Sequence, residues 1–166
     1  DKNSENVTLL SPINTNSRYF IDFGWLSQDD ITLPDANTIW QSDKKTLTPN
    51  SPITLSWKSP ENILFTININ LDDNYLFNIN KKVENLSDST ITLASYGRIN
   101  RFFSQTTPEF FILHEGPIGV FDGILHEVTY KKTRKKPAQT FQTTNKSGWL
   151  GISDKYWLNA IIFDND

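Results

Sequence analysis

The sequence predicts an all-β protein, a sandwich of antiparallel strands with at most short helices. Three observations predict it. Apolar residues in the middle of the chain alternate with period two. Clusters of turn-forming residues interrupt them at regular intervals. No long window follows the 3.6-residue period of an amphipathic helix. Period-two alternation puts one set of side chains on a buried sheet face and the other in water.

The elements follow in chain order. Val7–Leu10 and Arg18–Trp25 are the first strand candidates, with Ser11-Pro12 as the turn between them. Ile53, Leu55 and Trp57 share a face, separated by Thr54, Ser56 and Lys58. Ile63, Phe65, Ile67, Ile69 and Leu71 repeat the pattern, and Tyr75, Phe77 and Ile79 continue it after Asp72-Asp73-Asn74. Ile63–Leu71 and Tyr75–Glu84 therefore form an expected antiparallel hairpin. Thr90–Tyr96, Ile124–Lys131 and Lys155–Phe163 are further strand candidates. Phe102–Leu113 fits a short helix or an irregular loop, and the three glycines and the proline within Gly116–Gly123 predict a constrained loop. No internal repeat or composition shift marks a second domain, so residues 1–166 are expected to form one.

Composition narrows the function classes. The chain has no cysteine, which excludes disulfides, thiol nucleophiles and Cys-ligated zinc. A net charge of -3 supplies no general attraction to nucleic acid. No apolar run approaches the roughly 20 residues a membrane helix needs. Hydrophobic residues at 37% still allow a packed core, so the chain is not expected to be disordered.

Few residues suggest chemistry. The two histidines lie in His114-Glu115-Gly116 and His126-Glu127-Val128, which are not HExxH and offer too few ligands for a metal. On a strand, His126 and Glu127 point to opposite faces. Asp29-Asp30 and Asp72-Asp73 sit where turns are expected, and no facing carboxylate pair is evident. No catalytic residues, cofactor or metal are expected. Asn6, Asn85 and Asn145 each open an Asn-x-Ser/Thr triplet of the kind an Asn-rich chain contains by chance.

Two segments suggest contact with a partner. Lys131, Lys132, Arg134, Lys135 and Lys136 form the strongest charge run. It is expected to be a solvated hairpin loop before Pro137, with anionic lipid as the alternative role. Gly148–Phe163 is the most apolar stretch and is apolar on both strand parities. Such a strand is covered on both sides or offers one face to a partner. Trp149, Asp154, Lys155, Tyr156, Trp157 and Leu158 are its candidate partner or domain-packing residues. As core, Trp157→Ala would destabilise the fold by roughly 3–5 kcal/mol.

Several blocks occur in an order that resembles a known family. They are Tyr75-Leu76-Phe77 with Val83-Glu84-Asn85, Ser95-Tyr96-Gly97-Arg98-Ile99-Asn100-Arg101, His114-Glu115-Gly116-Pro117-Ile118-Gly119, and Gly148-Trp149-Leu150-Gly151-Ile152-Ser153-Asp154-Lys155-Tyr156-Trp157-Leu158. Phe23-Gly24-Trp25, Leu33-Pro34 and Thr38-Ile39-Trp40 fit the same pattern. Together they resemble the large periplasmic domain of the YidC family of bacterial membrane protein insertases, in its alphaproteobacterial form. The resemblance implies a β-supersandwich, galactose-mutarotase-like in fold, lying between the first two transmembrane helices on the periplasmic side of the inner membrane. It implies a non-catalytic module of a protein that inserts and folds membrane proteins, alone or with the Sec translocon. Implied partners are Sec accessory subunits and nascent membrane proteins, with no nucleic acid or small-molecule substrate. The insertase groove belongs to the family's membrane part, so no residue of it carries over.

The chain departs from the family pattern in three ways. Early strands are expected before Asp1, no proline follows Phe163, and the basic run stands where relatives are more acidic. Two alternatives remain open from the residues: a carbohydrate-binding or mutarotase-like domain, and an adaptor that takes extended polypeptide along a groove or strand edge.

Overall fold

A computed structural model describes residues 8–102, 114–136, 138–144, 147–154 and 156–163. Ten strands and one short helix are found among them, so the all-β antiparallel class predicted from periodicity is the class observed. The chain divides into two compact units. One comprises residues 1–22 and 97–166, the other Phe23–Tyr96. Two strands run through the divisions, β1 (Tyr19–Leu26) and β6 (Ala94–Arg101), and they pair with each other.

The Phe23–Tyr96 unit carries a four-stranded sheet in the order β2-β3-β4-β5. Its strands are β2 (Gln41–Ser42), β3 (Ile53–Lys58), β4 (Ile63–Leu71) and β5 (Phe77–Asn85), all antiparallel. Alternation in β4 sends Ile63 and Phe65 inward to full burial. Trp25 meets the Phe65 ring edge-on at 5.0 Å, and Trp57 lies 5.7 Å from it. Ile31, Leu33, Trp40, Ile67, Val83, Ile91 and Leu93 pack around this centre. The Ile63–Leu71 strand is found as predicted. Its partner starts two residues later than expected, and Tyr75 and Phe77 are exposed rather than buried. The Asp72 carboxylate explains the shift. Its Oδ1 accepts the N–H groups of Asn74 and Leu76, each at 2.8 Å, and extends the turn past Tyr75.

Lys81 on β5 ties this unit together. Its ammonium donates to the carbonyls of Gly24 and Tyr96, at 3.2 and 2.9 Å, and to the Ser95 hydroxyl. It also lies over the rings of Phe23 and Trp25. Burial lowers its pKa. The expected strand Thr90–Tyr96 is displaced to Ala94–Arg101. Ser27 Oγ donates to the Thr92 carbonyl and Asp29 Oδ2 accepts the Thr92 N–H at 2.6 Å. Thr92 is thus held by side chains rather than by a strand ladder.

The other unit carries a second antiparallel sheet, in the order β10-β9-β7-β8. The strands are β7 (Gly116–Phe121), β8 (Ile124–Glu127), β9 (Gly148–Ser153) and β10 (Leu158–Phe163). Four expectations are corrected here. Gly116–Phe121, which the glycines and Pro117 suggest is a loop, is a strand. Its glycines permit close approach: a Cβ on Gly116, at φ 134°, would lie 2.4 Å from the Val128 carbonyl. The expected strand Ile124–Lys131 stops at Glu127, and the basic run is helix α1 (Tyr130–Lys135) rather than a hairpin loop. Thr129 turns the chain, its hydroxyl accepting the Lys132 N–H as an N-cap. The expected first strand fails at Thr8–Leu10, which is irregular, while Val7 lies outside the described residues. The Phe102–Leu113 reading falls outside them from 103 to 113.

Candidate interaction surface

The closing apolar run forms the β9–β10 hairpin. Ser153 pairs with Leu158, and the Asp154 N–H donates to the Trp157 carbonyl at 2.8 Å, closing a tight tip. Alternation in β10 buries Ile161 and turns Leu158 and Ile162 outward, at 52% and 68% exposure. At the tip Tyr156 is 76% and Trp157 47% exposed. The core reading of Trp157 is therefore corrected. With apolar residues on both parities, only one set can face inward, and the tip lies beyond the ladder. Trp149 is half-buried on β9, and Lys155 lies outside the described residues.

A polar cluster holds the base of this hairpin. Asp154 pairs with Arg101 from the end of β6, and both side chains are mostly buried. The Arg101 guanidinium lies 4.6 Å from the centre of the Tyr19 ring. The Arg101 pKa is raised by the Asp154 carboxylate against the opposing effect of burial. Burial raises the pKa of Tyr19 and Tyr130. Asp154 thus anchors the tip to the end of β6. Sequence reasoning missed Arg101, which lies 53 residues away and carries no local signal.

Sheet register also fixes where α1 begins. Gly116 at the start of β7 pairs with Ser153, the residue before Asp154. The Val128 N–H donates to the Pro117 carbonyl at 2.9 Å, and Gly116 lies against the Val128–Tyr130 backbone. The hairpin tip and the start of α1 therefore lie at one end of the sheet. Lys131, Lys132, Arg134, Lys135 and Lys136 are all exposed.

The histidines do not form a centre. His126 lies against Phe141, ring centres 4.3 Å apart, and against Phe121. His114 Nε2 is 3.3 Å from the Pro117 carbonyl. Among the described residues no group of three or more metal-ligating side chains occurs. Asp122 is structural: its carboxylate accepts from Thr143 and from both the amide and hydroxyl of Thr144.

The Phe23–Tyr96 unit has a cleft of about 320 Å³, with Asp29, Asp30 and Glu61 beside Ile31, Ile63 and Ile91 among its lining residues. No sequence signal brought these carboxylates together. Hydrogen bonds from the Thr32 and Ser59 hydroxyls lower the Glu61 pKa to about 2. Glu61 is a carboxylate at neutral pH and a poor proton donor. Asp29 is committed to the Thr92 backbone.

A sequence profile described as the YidC periplasmic domain matches residues 1–166. The membrane protein insertase YidC of Granulibacter bethesdensis is 39% identical over 169 residues, covering 99% of this chain and 29% of that protein. The membrane protein insertase YidC of Rickettsia akari is 41% identical over 164 residues, covering 98% of this chain and 29% of that protein. The chain thus spans less than a third of the length of these relatives. No solved structure matches it significantly. Among the described residues, no helix is long and apolar enough to cross a membrane.

Proposed function

The chain belongs to the YidC periplasmic domain family, and from that premise we propose that it is a non-catalytic interaction module on the periplasmic side of the inner membrane. Its parent is a multi-pass insertase that inserts and folds membrane proteins, alone or with the Sec translocon. Its partners are Sec accessory subunits and nascent membrane proteins. The observation that carries this reading is the match over the whole chain, joined by relatives near 40% identity that bear the insertase name. Exposed apolar residues on β10 and the hairpin tip supply a contact surface.

The test is site-specific photocrosslinking in the full-length parent, with the reactive group at Ile162 or Tyr156. Crosslinks to Sec accessory subunits or to a stalled nascent membrane protein are expected. Crosslinks to neither, together with normal insertion after deletion of the domain, would refute the reading.

A second reading has one observation in its favour. Among the described residues, β10 is the terminal strand of its sheet, and an open edge can add an extended polypeptide. An extended test peptide should then crosslink to Ile162 more strongly than to Ile39, an exposed residue that lies in no strand.

A further inference from the structure

We propose that the end of the β10-β9-β7-β8 sheet carrying the hairpin tip and α1 docks on an anionic phospholipid bilayer. Two separate segments lie at that end. One is the exposed trio Tyr156, Trp157 and Leu158; the other is a helical turn of exposed lysines that starts against Gly116, one register step from the hairpin. Trp and Tyr combine an apolar ring with a polar atom and settle at the level of lipid headgroups. Clustered lysines add attraction to anionic headgroups, and the attraction decays within a Debye length. Either segment alone makes a weak anchor; an apolar wedge beside a basic patch supplies the two signals stable surface binding requires.

Charge complementarity selects this occupant. The chain is net negative, yet this run gathers four exposed lysines, and Asp154 at the adjoining tip is already paired with Arg101. Lys131 and Lys132 open the helix and Lys135 and Lys136 close it, so the positive charge spans both ends of α1. The inference rests on the proposed membrane-side module only for which bilayer the surface meets. Sedimentation with lipid reads the surface itself, whereas crosslinking in the parent reads the module.

The experiment is co-sedimentation of the 166-residue chain with vesicles of phosphatidylcholine, with and without roughly one-third phosphatidylglycerol. Binding to the anionic vesicles that weakens with salt is expected. Combined Lys131→Gln, Lys132→Gln, Lys135→Gln and Lys136→Gln should weaken it about tenfold or more. Trp157→Ala should weaken it severalfold at any salt, while Ile39→Ala, at an 87% exposed residue of the other unit, should leave it unchanged. Acyl-brominated lipid should quench tryptophan emission in the parent chain and less in Trp157→Phe, a variant that keeps the ring should Trp157→Ala misfold. No binding to anionic vesicles at low salt, an equal loss in Ile39→Ala, or quenching unaltered in Trp157→Phe would each overturn the proposal. Binding instead to acidic protein but not to lipid would also overturn it.

Discussion

The two units contain strands of similar apolar content and use them differently. In the Phe23–Tyr96 unit, β4 confines its large apolar side chains mainly to one parity, and Ile63 and Phe65 vanish from the surface. In the other unit, β10 is apolar on both parities; Ile161 is buried, while Ile162 beside it is 68% exposed. The difference teaches that burial follows the alternation of a strand more than the hydrophobicity of its run. A strand with polar residues between its apolar ones can satisfy both faces at once. A strand without them leaves one face for something else.

The sharpest way to break this contrast is at Phe65, enclosed by Trp25 and Trp57. Phe65→Ala should destabilise the fold by about 3–5 kcal/mol in chemical denaturation, as lost burial and the residual cavity combine. Gly116→Ala should come next, at about 2–3 kcal/mol, because a Cβ there meets the Val128 carbonyl at a positive φ. Hydrogen exchange should localise the loss to β7 and the start of α1, leaving β3–β5 protected.

A pH titration probes the Phe23–Tyr96 unit separately. Glu61 has its pKa lowered from 4.5 to about 2 by hydroxyl donors. A carboxyl depressed in the folded state contributes stability that is present above 4.5 and lost as pH falls toward 2. Glu61→Gln should flatten the stability profile across that acidic window and leave its slope near neutrality unaltered. The smallest effect is expected at Trp157. Trp157→Ala should shift stability by within about 1 kcal/mol, since the side chain stands half outside the fold. A loss approaching that of Phe65→Ala would erase the contrast between the units.

Much of the sheet structure was legible in the sequence, because alternation is a local signal. Ile63–Leu71 could be read from neighbouring residues alone, whereas the turn after it runs on past Tyr75 because Asp72 caps it. What escaped was set by distant partners or by glycine. β7 contains Gly116, Pro117 and Gly119, residues that lower strand propensity, and it persists because their small or constrained backbones fit against β8 and β9. The helix at Tyr130–Lys135 was hidden by β-branched and aromatic residues around its start, until the Thr129 cap fixed where the strand pattern ends. For the candidate surface, the aromatic string and the basic run were each visible. Their meeting at one end of a sheet was not, since it depends on the β7–β9 register. Arg101 was invisible as a partner of Asp154 for the same reason.

Lys81 has a consequence for how this protein can be taken apart. One ammonium holds the carbonyls of Gly24 and Tyr96, so the points where the chain enters and leaves the Phe23–Tyr96 unit lie no farther apart than two hydrogen-bond lengths. A segment whose ends meet behaves as a cassette. It can be lifted out and its ends joined head to tail, or the flanking halves spliced across the gap with a short bridge. The lysine is in effect the clasp of a removable part, and it marks the seam along which each half can be grafted, permuted or studied alone.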